Sequence, residues 1–173
     1  MDQYEAIRPY GDDEVQAVLH RLVRDPAVLD ALARFLLPRS LWRGAPALRP
    51  LLRRVLARRA RRLRTVADFQ LTLEPYFDRL IARTVSRLEI SGAETLDPAE
   101  PRLFVANHRD IAMDPALFNY ALFVNGLPTT RIAIGSNLVG RPWAGDLMRL
   151  NKAFIVDRDA VTVKDVARAV RNT

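Results

Sequence analysis

His108 is followed two and six residues later by aspartates, in the stretch Asn107-His108-Arg109-Asp110-Ile111-Ala112-Met113-Asp114-Pro115. A histidine with a carboxylate nearby is the minimum kit for a general base. The carboxylate fixes the imidazole tautomer and stabilises the imidazolium after proton capture. The apolar run Phe104-Val105-Ala106 precedes the histidine, and a helix-like segment follows Pro115. Strand, polar turn, helix is a common way to place chemistry at the end of a sheet. The competing reading is a strand-to-helix turn with a capping aspartate and a surface histidine.

Other chemistries are narrowed by what the sequence contains. There is no cysteine, and His20 and His108 are the two histidines. Disulfides, thiolate metal sites and multi-histidine sites are therefore excluded, and neither a metal nor a cofactor is expected. His108-Arg109-Asp110 has the look of a kinase catalytic loop, but the asparagine required five residues after the aspartate is Pro115 here. No Walker loop, dinucleotide fingerprint or serine nucleophile elbow is present.

The surrounding elements follow from periodicity. Asp12-Asp13-Glu14 reads as an acidic helix start, with Val15, Val18, Leu19, Leu22 and Val23 at helical spacing. Asp25-Pro26 gives a cap and a proline at the first helical position, followed by Val28, Leu29, Leu32, Phe35 and Leu36. A third helix from Leu48 places Leu51, Leu52, Val55 and Leu56 on one side and a crowd of arginines on the other. A fourth covers Val66 to Val85, with a kink or break expected at Pro75. Beyond Arg87 the texture changes. Strands are expected at Leu88–Ile90, Arg102–Ala106, Arg131–Gly135 and Ala153–Val156, with helices after Ala116, Pro142 and Val161.

The fold class expected is α/β. Residues 1–86 form an N-terminal helical bundle, and residues 87–173 form the first part of a mainly parallel α/β sheet domain. Because the sequence stops at Thr173 just after a helical segment, a chain truncated at its C-terminus is expected.

Two blocks carry a resemblance. Asn107-His108 followed by Asp114 resembles the first block of the glycerophospholipid acyltransferases, a histidine and an aspartate separated by four residues. Five residues separate them here, which leaves Asp110 and Asp114 both open as the histidine's partner. The longer form Asn-His-Arg-Asp-Ile-x-x-Asp resembles a bacterial branch of that superfamily. Downstream, Phe154-Ile155-Val156-Asp157-Arg158 is similar to the family's Phe-Ile-x-Arg segment; the usual glycine before the phenylalanine is not in place, and Asn151-Lys152 stand nearby. A Phe-Pro-Glu-Gly type third block would lie beyond Thr173.

The resemblance implies transfer of an acyl group from acyl-CoA or acyl-carrier protein to glycerol-3-phosphate or lysophosphatidate in phospholipid synthesis. His108 would be the base, oriented by Asp114 or Asp110. Arg158 and Arg109 would contact the acceptor's phosphate; the alternatives are an ion pair of Arg158 with Asp157 or Asp159, and a solvated Arg109. The net charge of +7, nearly all from arginine, favours anionic partners. The alternative function is a non-catalytic basic module on an anionic membrane surface or another acidic partner. Nucleic acid is not expected, because no aromatic residues interleave the arginines. No signal peptide or spanning segment is legible, so the expected location is the cytoplasm, with peripheral contact at the inner face of the cell membrane.

Overall fold

The computed structural model describes residues 5–36, 45–107 and 109–157. Its elements are α1 (Val15–Leu22), α2 (Pro26–Leu36), α3 (Ala45–Ala60), α4 (Val66–Thr84), α5 (Met113–Val124), β1 (Ile132–Gly135), α6 (Pro142–Leu150) and β2 (Ala153–Val156). The helix expected after Val161 lies outside the described residues. By contact the chain forms two compact units. The first gathers the described residues up to Glu74 and from Ala133 onward; the second is Pro75–Ile132.

The core of the first unit comes from residues far apart in sequence. Val15, Val18, Leu19 and Leu22 of α1 meet Val66 and Phe69 of α4 and Leu150 of α6, all buried. The spacing of the α1 set is one helical stripe, as periodicity requires. α1 and α6 thus share a core although they fall on either side of residue 86.

Local chemistry sets the helix starts. Asp25 Oδ1 accepts the Ala27 N–H at 2.8 Å, with Pro26 in the first turn of α2. α4 opens on a reciprocal box. Thr65 Oγ1 accepts the Asp68 N–H at 3.0 Å, and Asp68 Oδ2 accepts the N–H of Thr65 at 2.9 Å and of Arg64 at 2.8 Å. Those backbone N–H groups hold the Asp68 carboxyl below the usual range. Asp12 Oδ1 accepts the Val66 N–H at 2.8 Å, tying the start of α4 to the turn before α1.

α4 runs unbroken through Pro75, and the division between the units falls at that residue instead. α3 carries Pro50 in its interior and begins three residues before the expected start. Its apolar side is divided: Leu52 and Leu56 are half-buried, whereas Leu51 and Val55 are exposed. Consecutive positions on a helix point about 100° apart, and the neighbours α1 and α2 cover only part of α3.

β1 and β2 pair as a parallel two-stranded sheet with α6 as the crossover, a βαβ unit. The segments expected as strands at Leu88–Ile90 and Arg102–Ala106 join no ladder among the described residues. Leu103 and Val105 are each 89% exposed, while Phe104 between them packs edge-on against Phe118 at 4.9 Å. Alternating apolar residues suit an extended backbone, but a strand also needs a partner's N–H and C=O groups.

The N-terminal segment is fastened to α6 and β2. The Ile155 N–H donates to Ile7 O at 2.9 Å and the Tyr10 N–H to Arg149 O at 3.2 Å. Asp146 accepts the Tyr10 hydroxyl at 2.6 Å and two Arg21 N–H groups at 2.9 Å each. Arg149 lies over the Tyr10 ring at 4.1 Å and donates to the carbonyls of Arg8 and Glu5. Burial alone would raise the Asp146 pKa, but the hydrogen bonds from Arg21 and Tyr10, with the Arg149 charge, bring it below the usual range.

Because that folded-state pKa is depressed, the stabilisation is complete above the ordinary aspartate value near pH ~4 and is lost as pH falls through the lower folded value. Asp146→Asn is expected to cost about 1–3 kcal/mol at neutral pH, the cost of leaving charged and hydroxyl donors poorly paired. Urea melts at neutral and acid pH should show the gap between wild type and variant narrowing on the acid side. A gap that widens there contradicts the assignment.

Candidate active site

The residues after His108 form the entry to α5. Helical hydrogen bonding begins at the Asp110 carbonyl, which accepts the Asp114 N–H at 3.3 Å. The Asp110 side chain turns forward, and its Oδ1 accepts the N–H groups of Ala112 at 2.9 Å and Met113 at 2.7 Å. It acts as an N-cap, satisfying donors that the first helical turn leaves without partners. Asp114 turns backward: its Oδ2 accepts the N–H of Arg109 at 2.5 Å and of Asp110 at 2.9 Å. The Arg109 N–H belongs to the peptide link with residue 108. One carboxylate is therefore fixed against the backbone immediately following the histidine.

Both carboxylates sit at the positive end of the α5 dipole. The backbone N–H groups of Met113 and Ala112 hold the Asp110 carboxyl below its usual range, against the opposing charge of Asp114. Arg109 is exposed, and no carboxylate among the described residues lies within ion-pair distance of its guanidinium.

α5 is itself held within the second unit. Asn119, 7% exposed, accepts the Thr130 N–H at 2.8 Å and the Thr130 hydroxyl at 3.0 Å through Oδ1. This fastens the segment leading to β1 against the helix. Tyr120 donates to Asp78 at 2.8 Å and its ring lies 5.6 Å from that of Phe77. Leu122 is buried. The helix thus has a polar and an apolar anchor on its C-terminal half and a backbone-bonded carboxylate pair on its first turn.

The structure brings together Arg109, Asp110 and Asp114. His108 and Arg158 lie outside the described residues. β2 places Phe154, Ile155 and Val156 in one strand, and Asp157 after it is exposed. Lys152, just before β2, has φ 65°, a left-handed conformation that costs a non-glycine residue roughly 1–2 kcal/mol. A glycine would take this conformation freely.

Among the described residues no group of histidines and carboxylates could hold a metal ion. Sequence reading missed two features that pair residues across long separations. One is the Tyr10–Asp146–Arg21 cluster; the other is a cavity between α1 and α3 lined by His20, Arg24, Arg53 and Arg61. The only advance signal was helical spacing, His20 to Arg24 and Arg53 to Ala57 to Arg61, which says nothing of which helices meet.

The Acyltransferase family model matches residues 87–173, the segment that holds the Asp110–Asp114 turn, α5, β1, α6 and β2. The chain belongs to the glycerophospholipid acyltransferase family. It is accordingly a transferase of acyl groups, a family role that calls for an acyl donor and a lipid acceptor. No curated protein and no solved structure matches the chain.

Proposed function

We propose that the chain transfers a fatty acyl group from acyl-CoA or acyl-carrier protein to a hydroxyl of glycerol-3-phosphate or lysophosphatidate, with His108 as general base. The observation that carries this reading is the Asp114 carboxylate, bonded to the N–H groups of Arg109 and Asp110 within the segment that matches the family. His108 takes the proton of the acceptor hydroxyl as its oxygen attacks the thioester carbonyl. The tetrahedral adduct collapses, the C–S bond breaks, and the thiolate recovers the proton from the imidazolium. Asp114 orients the ring and stabilises its charged form. Asp110 caps α5 and holds Asp114 in place. Arg158 and Arg109 bind the acceptor's phosphate, which guanidinium groups match with two parallel hydrogen bonds.

The test is release of free CoA from a long-chain acyl-CoA, with glycerol-3-phosphate and lysophosphatidate as separate acceptors and acyl-carrier protein as the second donor. Acceptor-dependent release is the expected result. A folded protein that releases no thiol with any of these donor and acceptor pairs removes the proposal.

A second reading is a basic module on an anionic membrane surface, at the inner face of the cell membrane. It is favoured by Phe35, Leu36, Leu51 and Val55, exposed apolar residues of α2 and α3, with Arg54, Arg58 and Arg59 exposed on α3. Among the described residues no helix is long and apolar enough to cross a membrane. This reading predicts salt-sensitive vesicle binding that the His108→Ala variant retains.

A further inference from the structure

α1 and α3 meet across a cavity of about 420 Å3, lined by Gln16, His20, Arg24, Arg53, Ala57 and Arg61 among others. Ligand sites commonly span about 300–1,000 Å3. Ala57 and Ala60 are the short side chains that α3 contributes to its lining. Gln16 closes it on one side by donating to the carbonyls of Ala60, at 2.9 Å, and Leu63. That leaves His20 and three guanidinium groups as the charged or ionisable part of the lining.

Two arginines close to the lining are neutralised, whereas Arg54, Arg58 and Arg59 on the outer side of α3 are exposed and unpaired among the described residues. Arg21, beside His20, pairs with Asp146, and Arg49, one turn before Arg53, pairs with Asp30. Arg24, Arg53 and Arg61 pair with no carboxylate among the described residues. Helix dipoles account for cations at the end of α1 and just past α3, where His20, Arg24 and Arg61 lie. They do not account for Arg53, in the middle of α3. Three like charges lining one concave space favour an anion there.

We propose that this cavity binds a phosphate group, held by Arg24, Arg53 and Arg61, with His20 at its side. Guanidinium is the side chain best matched to phosphate oxygens, and the remaining volume takes part of whatever the phosphate is attached to. The phosphate belongs either to a soluble molecule or to a lipid headgroup. The site is built from α1 and α3 and is independent of the acyl-transfer reading, because its test measures binding alone.

The full chain is titrated calorimetrically with inorganic pyrophosphate, and its co-sedimentation is measured with phosphatidylcholine vesicles doped with phosphatidate. The variants are Arg53→Ala with Arg61→Ala, Arg24→Ala alone, and the control pair Arg58→Ala with Arg62→Ala. The control removes the same charge from residues outside the cavity lining. Circular dichroism and melting temperature verify the fold of each.

Loss of a charge-assisted contact is expected to weaken binding about tenfold or more in the cavity variants, with a clearly smaller effect in the control pair. Arg24→Ala approaches the cavity from the other helix, so it decides the matter if the double variant misfolds. Cavity-dependent binding of pyrophosphate assigns a soluble phosphate ligand; cavity-dependent binding to doped vesicles alone assigns a lipid headgroup. Absence of both, or equal weakening in the cavity and control variants, overturns the proposal.

Discussion

Replacing His108 with Ala is expected to lower acceptor-dependent CoA release by ~10²–10⁴-fold, the usual contribution of a positioned general base, while the protein melts at an unchanged temperature. The two aspartates should then separate. Asp110 acts through Oδ1, which caps the Ala112 and Met113 amides. Asparagine caps a helix about as well as aspartate, so Asp110→Asn should keep most of the activity. Asp114→Asn retains an oxygen for the Arg109 and Asp110 amides but loses the charge that would stabilise an imidazolium. Its activity should fall towards that of the His108 variant. The measurement is kcat and KM with a saturating acyl donor. The reverse order, an inactive Asp110→Asn beside an active Asp114→Asn, would move the orienting role to Asp110. Full activity in His108→Ala would end the proposed mechanism.

The largest expected effect on stability is at Leu150. It is fully buried at the end of α6, against the α1 stripe of Val15, Val18, Leu19 and Leu22 and the α4 residues Val66 and Phe69. Leu150→Ala removes three carbon atoms from a site that three helices surround, so collapse into the space is limited. A loss of about 2–5 kcal/mol is expected. For a chain of this size that lowers the melting temperature by roughly 5–15 °C. Leu103→Ala is the matched control. The same change at a residue 89% exposed should fall within about 0.5 kcal/mol. Thermal melts of the two variants check both statements together. A Leu103 variant as unstable as the Leu150 one would mean that the segment from Arg102 to Ala106 is covered.

Helices α1, α2, α4 and α6 were legible in the sequence because their signals are local. The 15, 18, 19, 22 stripe, the Asp25-Pro26 start and Pro142 at the head of α6 each act within a few residues of chain. β1 and β2 were legible as short apolar runs between turns. The strands expected at Leu88–Ile90 and Arg102–Ala106 were misread for the opposite reason. Extended propensity is local, but a ladder depends on a partner elsewhere, and no partner strand stands beside these segments among the described residues. Of the kink or break expected at Pro75, the break does not occur: α4 continues through it. Proline removes one N–H and crowds the preceding turn, but it does not prevent neighbouring hydrogen bonds from forming.

The candidate site divides in the same way. Residue types and spacing alone singled out His108, Asp110 and Asp114, because general-base chemistry needs those groups close in space and here they already fall within seven residues of chain. They also located the family's blocks. They left the two aspartates equivalent. Only the folded turn gave one a forward cap and the other a backward bond to the peptide after His108, since side-chain direction depends on where helical hydrogen bonding begins. Tertiary structure alone decided that α1 packs on α6, that Tyr10 reaches Asp146, and that Arg24 just past α1 lines one cavity with Arg53 and Arg61 in and just past α3. These contacts join residues tens to more than a hundred positions apart. Periodicity fixes which face of a helix is apolar; which other face it meets is settled by the packing of the whole chain.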